Sequence, residues 1–203
     1  MSGGALHETV IGLYERHARE FERDRAPGAL FERPWLEPFT AGLSPGAAVL
    51  DVGCGSGEPI ARYLREGGFA LTGVDASPSM IESCRRRLPN AEWCVLDMRT
   101  MALDRRFDGI LAWDSLFHLS GPDQRPMFAR FAAHANPGAR LLFTSGTSEG
   151  EAIGSCWGEP LYHASLDPEE YRRLLGENGF SVLAHREDDP ECGNHTIWLA
   201  RHV

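Results

Sequence analysis

Residues 49–59 read Val-Leu-Asp-Val-Gly-Cys-Gly-Ser-Gly-Glu-Pro: an apolar run, then alternating glycines, then at once a helical pattern. No other stretch constrains the fold as tightly. The apolar run predicts a buried strand. The glycines predict a turn that adopts positive φ and lets the backbone approach a ligand. The helix that follows presents free N–H groups and the positive end of its dipole. A strand, glycine turn and helix in this order build open α/β sheets, where ligands bind at the carboxyl ends of the strands.

The rest of the chain continues the alternation. Residues 5–25 carry Val10, Leu13, Tyr14, His17 and Phe21 at three- and four-residue steps, which predicts one amphipathic helix. A short helix is expected over 34–43. Strands are expected at 48–52, 69–74, 92–96, 107–113 and 140–144, and helices at 59–66, from Ser77-Pro78 onward and over 124–135. Asp167-Pro168-Glu169-Glu170 is a helix start with Glu170 at the capping-box position. Strands at 180–186 and 196–200 flank a Pro-Glu-Cys-Gly-Asn turn and predict an antiparallel C-terminal hairpin. The least regular stretch is 145–166, rich in glycine and aromatic residues, and it reads as a functional loop. The pattern predicts a doubly wound, mostly parallel α/β sheet in one domain, since 203 residues suit about one domain.

Composition removes several function classes. Lys and Arg total 20 against 29 Asp and Glu, a net charge of −9, and every one of the 20 is Arg. Without lysine there is no Walker phosphate loop and no Schiff-base chemistry. The acidic balance argues against a nucleic-acid partner. The five cysteines are odd in number and none has CxxC spacing, so neither a disulfide framework nor a metal site is expected. No signal-peptide pattern and no apolar run of spanning length occurs, and a cytoplasmic protein is expected.

The glycine spacing is GxGxG, with Glu58 where a dinucleotide fingerprint has its third glycine. Asp51 precedes the glycines, and Asp75 lies 24 residues later at the end of the next strand. An acid there accepts hydrogen bonds from the two hydroxyls of a ribose, so the expected ligand is a nucleoside. Here the chain resembles the class I S-adenosylmethionine-dependent methyltransferases of the small-molecule, ubiquinone-biosynthesis-like and trans-aconitate-like kind. The resemblance rests on Asp51 to Gly57, Val74-Asp75-Ala76-Ser77 with Met80, Leu96-Asp97-Met98, residues 107–114 with 115–119 following, and Asn136-Pro137-Gly138-Ala139-Arg140. It implies a Rossmann-like, seven-stranded fold with S-adenosylmethionine as cofactor. By it, Asp51, Gly53, Cys54, Gly55 and Gly57 hold the methionine moiety. Asp75, Ala76 and Met80 hold the ribose, and Asp97 and Met98 the adenine. Tyr14, Trp113 and Asp114 are further candidate cofactor contacts. Residues 1–43 would form a helical lid, 44–145 the cofactor-binding core, 146–166 an acceptor-side insertion and 167–203 the closing helix and hairpin.

A sulfonium is already an activated methyl donor, so such a site needs chiefly to align a nucleophile and exclude water. His118, Tyr162 and His163 are the candidate catalytic or acceptor-facing residues, and the acceptor is expected to be a small molecule. Trp113-Asp114-Ser115-Leu116 departs from the Asn/Asp-Pro-Pro-Tyr/Phe motif of adenine and glutamine methyltransferases. Two other classes stay compatible with the residues: a nicotinamide-dinucleotide oxidoreductase, and a protein that senses a nucleoside without chemistry.

Overall fold

The computed structural model describes residues 6–25 and 30–203. The expected helix start at residue 5 and the first residues of the 1–43 segment lie outside them. The element order is α1 (Val10–Arg16), α2 (Ala18–Asp24), α3 (Arg33–Ala41), β1 (Ala48–Val52), α4 (Ile60–Glu66), β2 (Ala70–Asp75), α5 (Pro78–Arg87), β3 (Glu92–Val95), β4 (Phe107–Ala112), α6 (Gly121–Ala133), β5 (Ala135–Ser145), β6 (Gly150–Cys156), β7 (Glu159–Ser165), α7 (Pro168–Glu177), β8 (Phe180–Asp189) and β9 (His195–His202).

Seven strands form one sheet in the order β3-β2-β1-β4-β5-β9-β8. The first five are parallel. β9 runs antiparallel to both β5 and β8, so the antiparallel strand lies one place in from the edge. Both faces are covered. Leu50, Val52, Ile110, Ala112 and Phe143 pack with α6 and α7, whereas Val49, Leu71, Leu111 and Leu142 pack with α3, α4 and α5. Alternating side chains of one strand thus enter two cores, which explains the nearly continuous apolar runs in the sequence. Chain order along the sheet reverses between β1 and β4. The crevice at their carboxyl ends is where such sheets bind ligands.

Local signals give most element ends. Ser77 caps α5 by accepting from the Met80 N–H, and Asp167 caps α7 by accepting from Glu169. Glu170 does not close a capping box. Its carboxylate takes the Arg125 guanidinium at 2.8 and 2.9 Å instead, since a bidentate charged partner outcompetes one backbone N–H. α6 begins at Gly121, three residues before the expected start, because Ser120 caps it.

Two expectations need correction. The N-terminal helix is broken at His17, whose backbone leaves helical geometry (φ −104°, ψ 22°). No Pro or Gly causes this. His17 stacks on Trp157 at 5.1 Å and its Nε2 lies 2.7 Å from Glu159, so tertiary contacts set the break. The 145–166 segment is a hairpin, not an irregular loop. β6 and β7 pair antiparallel through Trp157-Gly158, both at positive φ (49° and 81°). That is the two-residue turn whose twist suits a hairpin, with a tryptophan where Asn or Asp is usual, which hid it from pattern reading.

Candidate active site

β1 delivers the chain to Gly53 (φ 74°), where an added Cβ would stand 2.3 Å from Ser115 Cβ. Only glycine fits that contact. The turn is then pinned from β2: Asp75 accepts from the Gly55 N–H and the Ser77 N–H, each at 2.9 Å. Burial pushes the Asp75 carboxyl up, and the two N–H donors oppose it. Over the turn lies α2. Phe21 is so close that a Cβ on Gly55 would be 2.9 Å from its ring. Glu15 of α1 binds the N-terminus of α5, reaching Ser79 N at 3.0 Å and Ser79 Oγ at 2.7 Å, which fixes α1 over the end of β2.

The cleft has two compartments. The larger, about 810 Å³, is lined by Tyr14, Asp75, Ala76, Met80, Asp97, Met98, Ser115 and His118 among others. The smaller, about 500 Å³, is lined by Arg25, Asp51, Cys54, Gly57, Glu58 and Trp113 among others. Phe21, Gly53, Gly55 and Asp114 line both. All thirteen residues expected at a cofactor thus border one cleft that straddles the β1/β4 reversal.

Their states differ. Asp51 is 4 % exposed, and burial, then the Asp75 charge, pushes its carboxyl up to about 7, with Arg25 opposing. Trp113 keeps its indole N–H buried without a partner among the described residues. A buried donor of this kind costs stability until a ligand satisfies it. Asp97 is chelated by Arg99 at 3.0 and 2.6 Å. Burial would raise its carboxyl, but the Arg99 contacts hold it below the usual range. Arg99, which also lines the larger compartment, was not expected from the sequence.

Tyr14 and His118 meet across 104 residues. Nε2 of His118 is 2.9 Å from the Tyr14 hydroxyl, and Nδ1 is 3.0 Å from the Tyr162 carbonyl oxygen. A carbonyl only accepts, so Nδ1 carries the proton and Tyr14 donates to Nε2. Burial lowers His118 to about 4 and raises Tyr14, so both groups are neutral near pH 7.

Asp114 follows β4 in the left-handed region (φ 48°). Its backbone N–H donates to Thr144 Oγ1 at 2.8 Å. Its carboxylate lies 2.9 and 3.1 Å from Nε2 of His195, whose Nδ1 is 2.8 Å from the Cys192 carbonyl. Burial works against charge on His195, but Asp114 first, then the Cys192 carbonyl, outweigh it and hold the imidazole above its ordinary value. Nothing in the sequence pattern singled out His195. The first residue of a strand after a polar turn carries no local mark of a partner 81 residues away.

Two expected residues lie elsewhere. The Tyr162 side chain is buried beneath α1 with Val10 and Leu13, and its hydroxyl donates to Glu151 at 2.8 Å. Only its backbone carbonyl enters the site. His163 lies beyond His118, ring centroids 5.0 Å apart, and lines a separate open groove with Phe117 and Ser145. Strand alternation explains this: successive residues of β7 face opposite sides.

Residues 49–138 match the family model of the methyltransferase domain. An O-methyltransferase of Pyrenophora dematioidea is 30% identical over 154 residues, covering 69% of this chain and 56% of that protein. A dTDP-3-amino-3,6-dideoxy-alpha-D-glucopyranose N,N-dimethyltransferase of Streptomyces fradiae is 38% identical over 137 residues, covering 66% and 50%. The chain therefore spans about half the length of these curated relatives. Among solved structures, the Burkholderia thailandensis 1,6-didemethyltoxoflavin-N1-methyltransferase with bound 1,6-didemethyltoxoflavin and S-adenosylhomocysteine superposes with a TM-score of 0.73 at 22% identity, covering 98% of this chain and 88% of that one. The fold is the Rossmann-like methyltransferase fold. The chain carries a methyltransferase domain over residues 49–138 and is similar to the S-adenosylmethionine-dependent methyltransferases.

Proposed function

We propose that the protein transfers a methyl group from S-adenosylmethionine to a small-molecule acceptor by in-line displacement. One observation carries the reading. A glycine turn separates two compartments, one with a buried acid whose carboxyl is pushed up to about 7 (Asp51) and an orphaned indole N–H, the other with an acid at the end of the next strand (Asp75). An amino acid joined to a nucleoside fits that pair. Its ammonium meets Asp51, its carboxylate meets the Trp113 N–H and Arg25, and its ribose hydroxyls meet Asp75. The adenine end meets Asp97 and Met98, with Met80 beside the ribose. When bound, the sulfonium supplies an activated methyl group.

The chain's own residues do the rest. Phe21 and α1–α2 close over the turn and exclude water, which strengthens every polar contact inside. Trp157 at the β6–β7 tip holds that lid, with its indole N–H donating to Asp24 at 2.9 Å and its ring stacked on His17. The segment to residue 43 thus acts as the lid, 44–145 as the cofactor-binding core, 146–166 as an acceptor-side wall and 167–203 as the closing helix and hairpin. Tyr14 faces the cleft with its proton committed to His118. A proton shed by the acceptor is taken at the Tyr14 oxygen as the phenolic proton moves to Nε2 of His118. His118 therefore acts through Tyr14 and does not meet the acceptor directly.

No helix among the described residues is long and apolar enough to cross a membrane, and the described cysteines are all free thiols. These facts support a reducing, cytoplasmic setting, and the acidic charge supports an acceptor other than nucleic acid. The test is calorimetric titration with S-adenosylhomocysteine, with NADH as the control. Micromolar binding of the first alone is expected. Binding of NADH alone overturns the reading.

A further inference from the structure

The hydrogen-bond directions where the two compartments meet narrow the choice of acceptor. His195 faces the Cys192 carbonyl through Nδ1 and the Asp114 carboxylate through Nε2. Both partners accept, so both ring nitrogens carry protons and both are spent. His195 donates through both ring nitrogens and aims Asp114 from its left-handed backbone position. A carboxylate held in this way is a strong hydrogen-bond acceptor. It still has lone pairs free, and it lines both compartments.

The other polar groups there are also committed. The Tyr14 hydroxyl gives its proton to His118 and keeps its oxygen lone pairs toward the cleft. The Ser115 hydroxyl, which lines the same compartment, donates to the Val52 carbonyl at 2.7 Å. Side-chain donors lie toward the far ends: Arg25 and Trp113 in the smaller compartment, Arg99 beside Asp97. The larger compartment thus presents two such acceptors beside Ser115 and His118, Asp114 and Tyr14 Oη.

A carboxylate nucleophile brings no proton to such a place and meets Asp114 as a like charge. A hydroxyl brings one proton for two acceptors. A primary amine brings two, and with both held its lone pair remains free for attack. We infer that the acceptor is an amine whose N–H groups are received by Asp114 and Tyr14, with His195 as the positioning residue that holds Asp114. The inference rests on the methyl-transfer reading above.

The experiment uses the protein loaded with S-adenosylhomocysteine at pH 8, titrated by ligand-observed NMR with cyclohexylamine, cyclohexanol and cyclohexanecarboxylate. The three probes share one apolar body and differ in the group presented. The amine is expected to bind about tenfold or more tighter than either of the others, the effect of one or two charge-assisted hydrogen bonds. His195→Ala should lower amine affinity about tenfold while leaving S-adenosylhomocysteine affinity within about twofold, and His195→Gln, which keeps one donor toward Asp114, should recover part of the loss. A merely structural role would lower both affinities together, with no rescue by Gln. Equal affinities, a preference for the alcohol or carboxylate, or no binding of any probe to the loaded protein overturns the inference. Failure to bind S-adenosylhomocysteine overturns the underlying reading instead.

Discussion

The two walls of the cleft hold a ligand by different means. The wall made by β1, β2 and their turns uses backbone: N–H groups of a glycine turn, pinned by Asp75 to the adjacent strand. The facing wall, made by α1, α2, the β6–β7 hairpin, the segment after β4 and the start of β9, uses side chains that meet across long sequence distances. Tyr14 with His118 and Asp114 with His195 are its polar contacts, and Phe21 and Trp157 its apolar ones. A backbone wall suits a constant ligand, because few substitutions can alter it. A side-chain wall can change acceptor without disturbing the fold. The comparison predicts that damage to the first wall strikes binding or folding, and damage to the second strikes turnover or choice of acceptor.

The sharpest way to break the first wall is Gly53→Ala. The positive φ and the 2.3 Å approach to Ser115 should together cost about 2–5 kcal/mol of stability. Thermal denaturation should show a large drop in Tm with loss of S-adenosylhomocysteine binding, and an unchanged Tm would mean the turn is not rigid. On the second wall, His118→Ala should lower turnover about a hundredfold, in the range for assisted proton transfer, and move cofactor affinity little. Tyr14→Phe should do the same, and the double variant should be no worse than either single one. Additive losses would separate the two residues.

Asp75→Ala should weaken S-adenosylhomocysteine by about ten- to hundredfold, the worth of about 1.5–3 kcal/mol in bonds to a charged acceptor. Because Asp75 also pins Gly55, Asp75→Asn should fall between. Equal affinity of wild type and Asp75→Ala would remove Asp75 from the ligand.

A smaller effect concerns pH. The Asp51 carboxyl lies at about 7 in the free protein, and an ammonium beside it favours the ionised form. The complex therefore binds fewer protons than the free protein. Affinity should rise with pH up to about 7 and fall by up to about tenfold per unit below it. A calorimetric pH series should show this slope, and Asp51→Asn should abolish it. The mildest prediction is Glu159→Ala, which frees Arg16 and His17 at an exposed site. It should leave Tm nearly unchanged and speed release of S-adenosylhomocysteine in stopped flow, because the lid loses an anchor and the turn loses nothing.

The same division decides what could be read in advance. The strand–glycine–helix unit and Asp75 at the end of the next strand were legible because each is fixed by neighbours within a few residues, whereas Asp97 was legible only through the family resemblance. The expected hairpin at the C-terminus was legible for the same reason. The β6–β7 hairpin was not, because its turn uses Trp157 at positive φ, an assignment that pays off only through contacts with His17, Tyr14 and Asp24. Tyr162 and His163 were near the site in sequence, but strand alternation turned one side chain beneath α1 and the other outward.

The sequence by itself determined the sheet, the glycine turn and the acids that border it, since periodicity, capping and positive φ are properties of contiguous residues. Only the tertiary structure decided which groups face one another at the meeting point of the two compartments. Tyr14 reaches His118 across 104 residues and Asp114 reaches His195 across 81. No local pattern records a hydrogen bond between side chains so far apart. It exists because the sheet brings the ends of β4 and β9 and the overlying helix to one crevice.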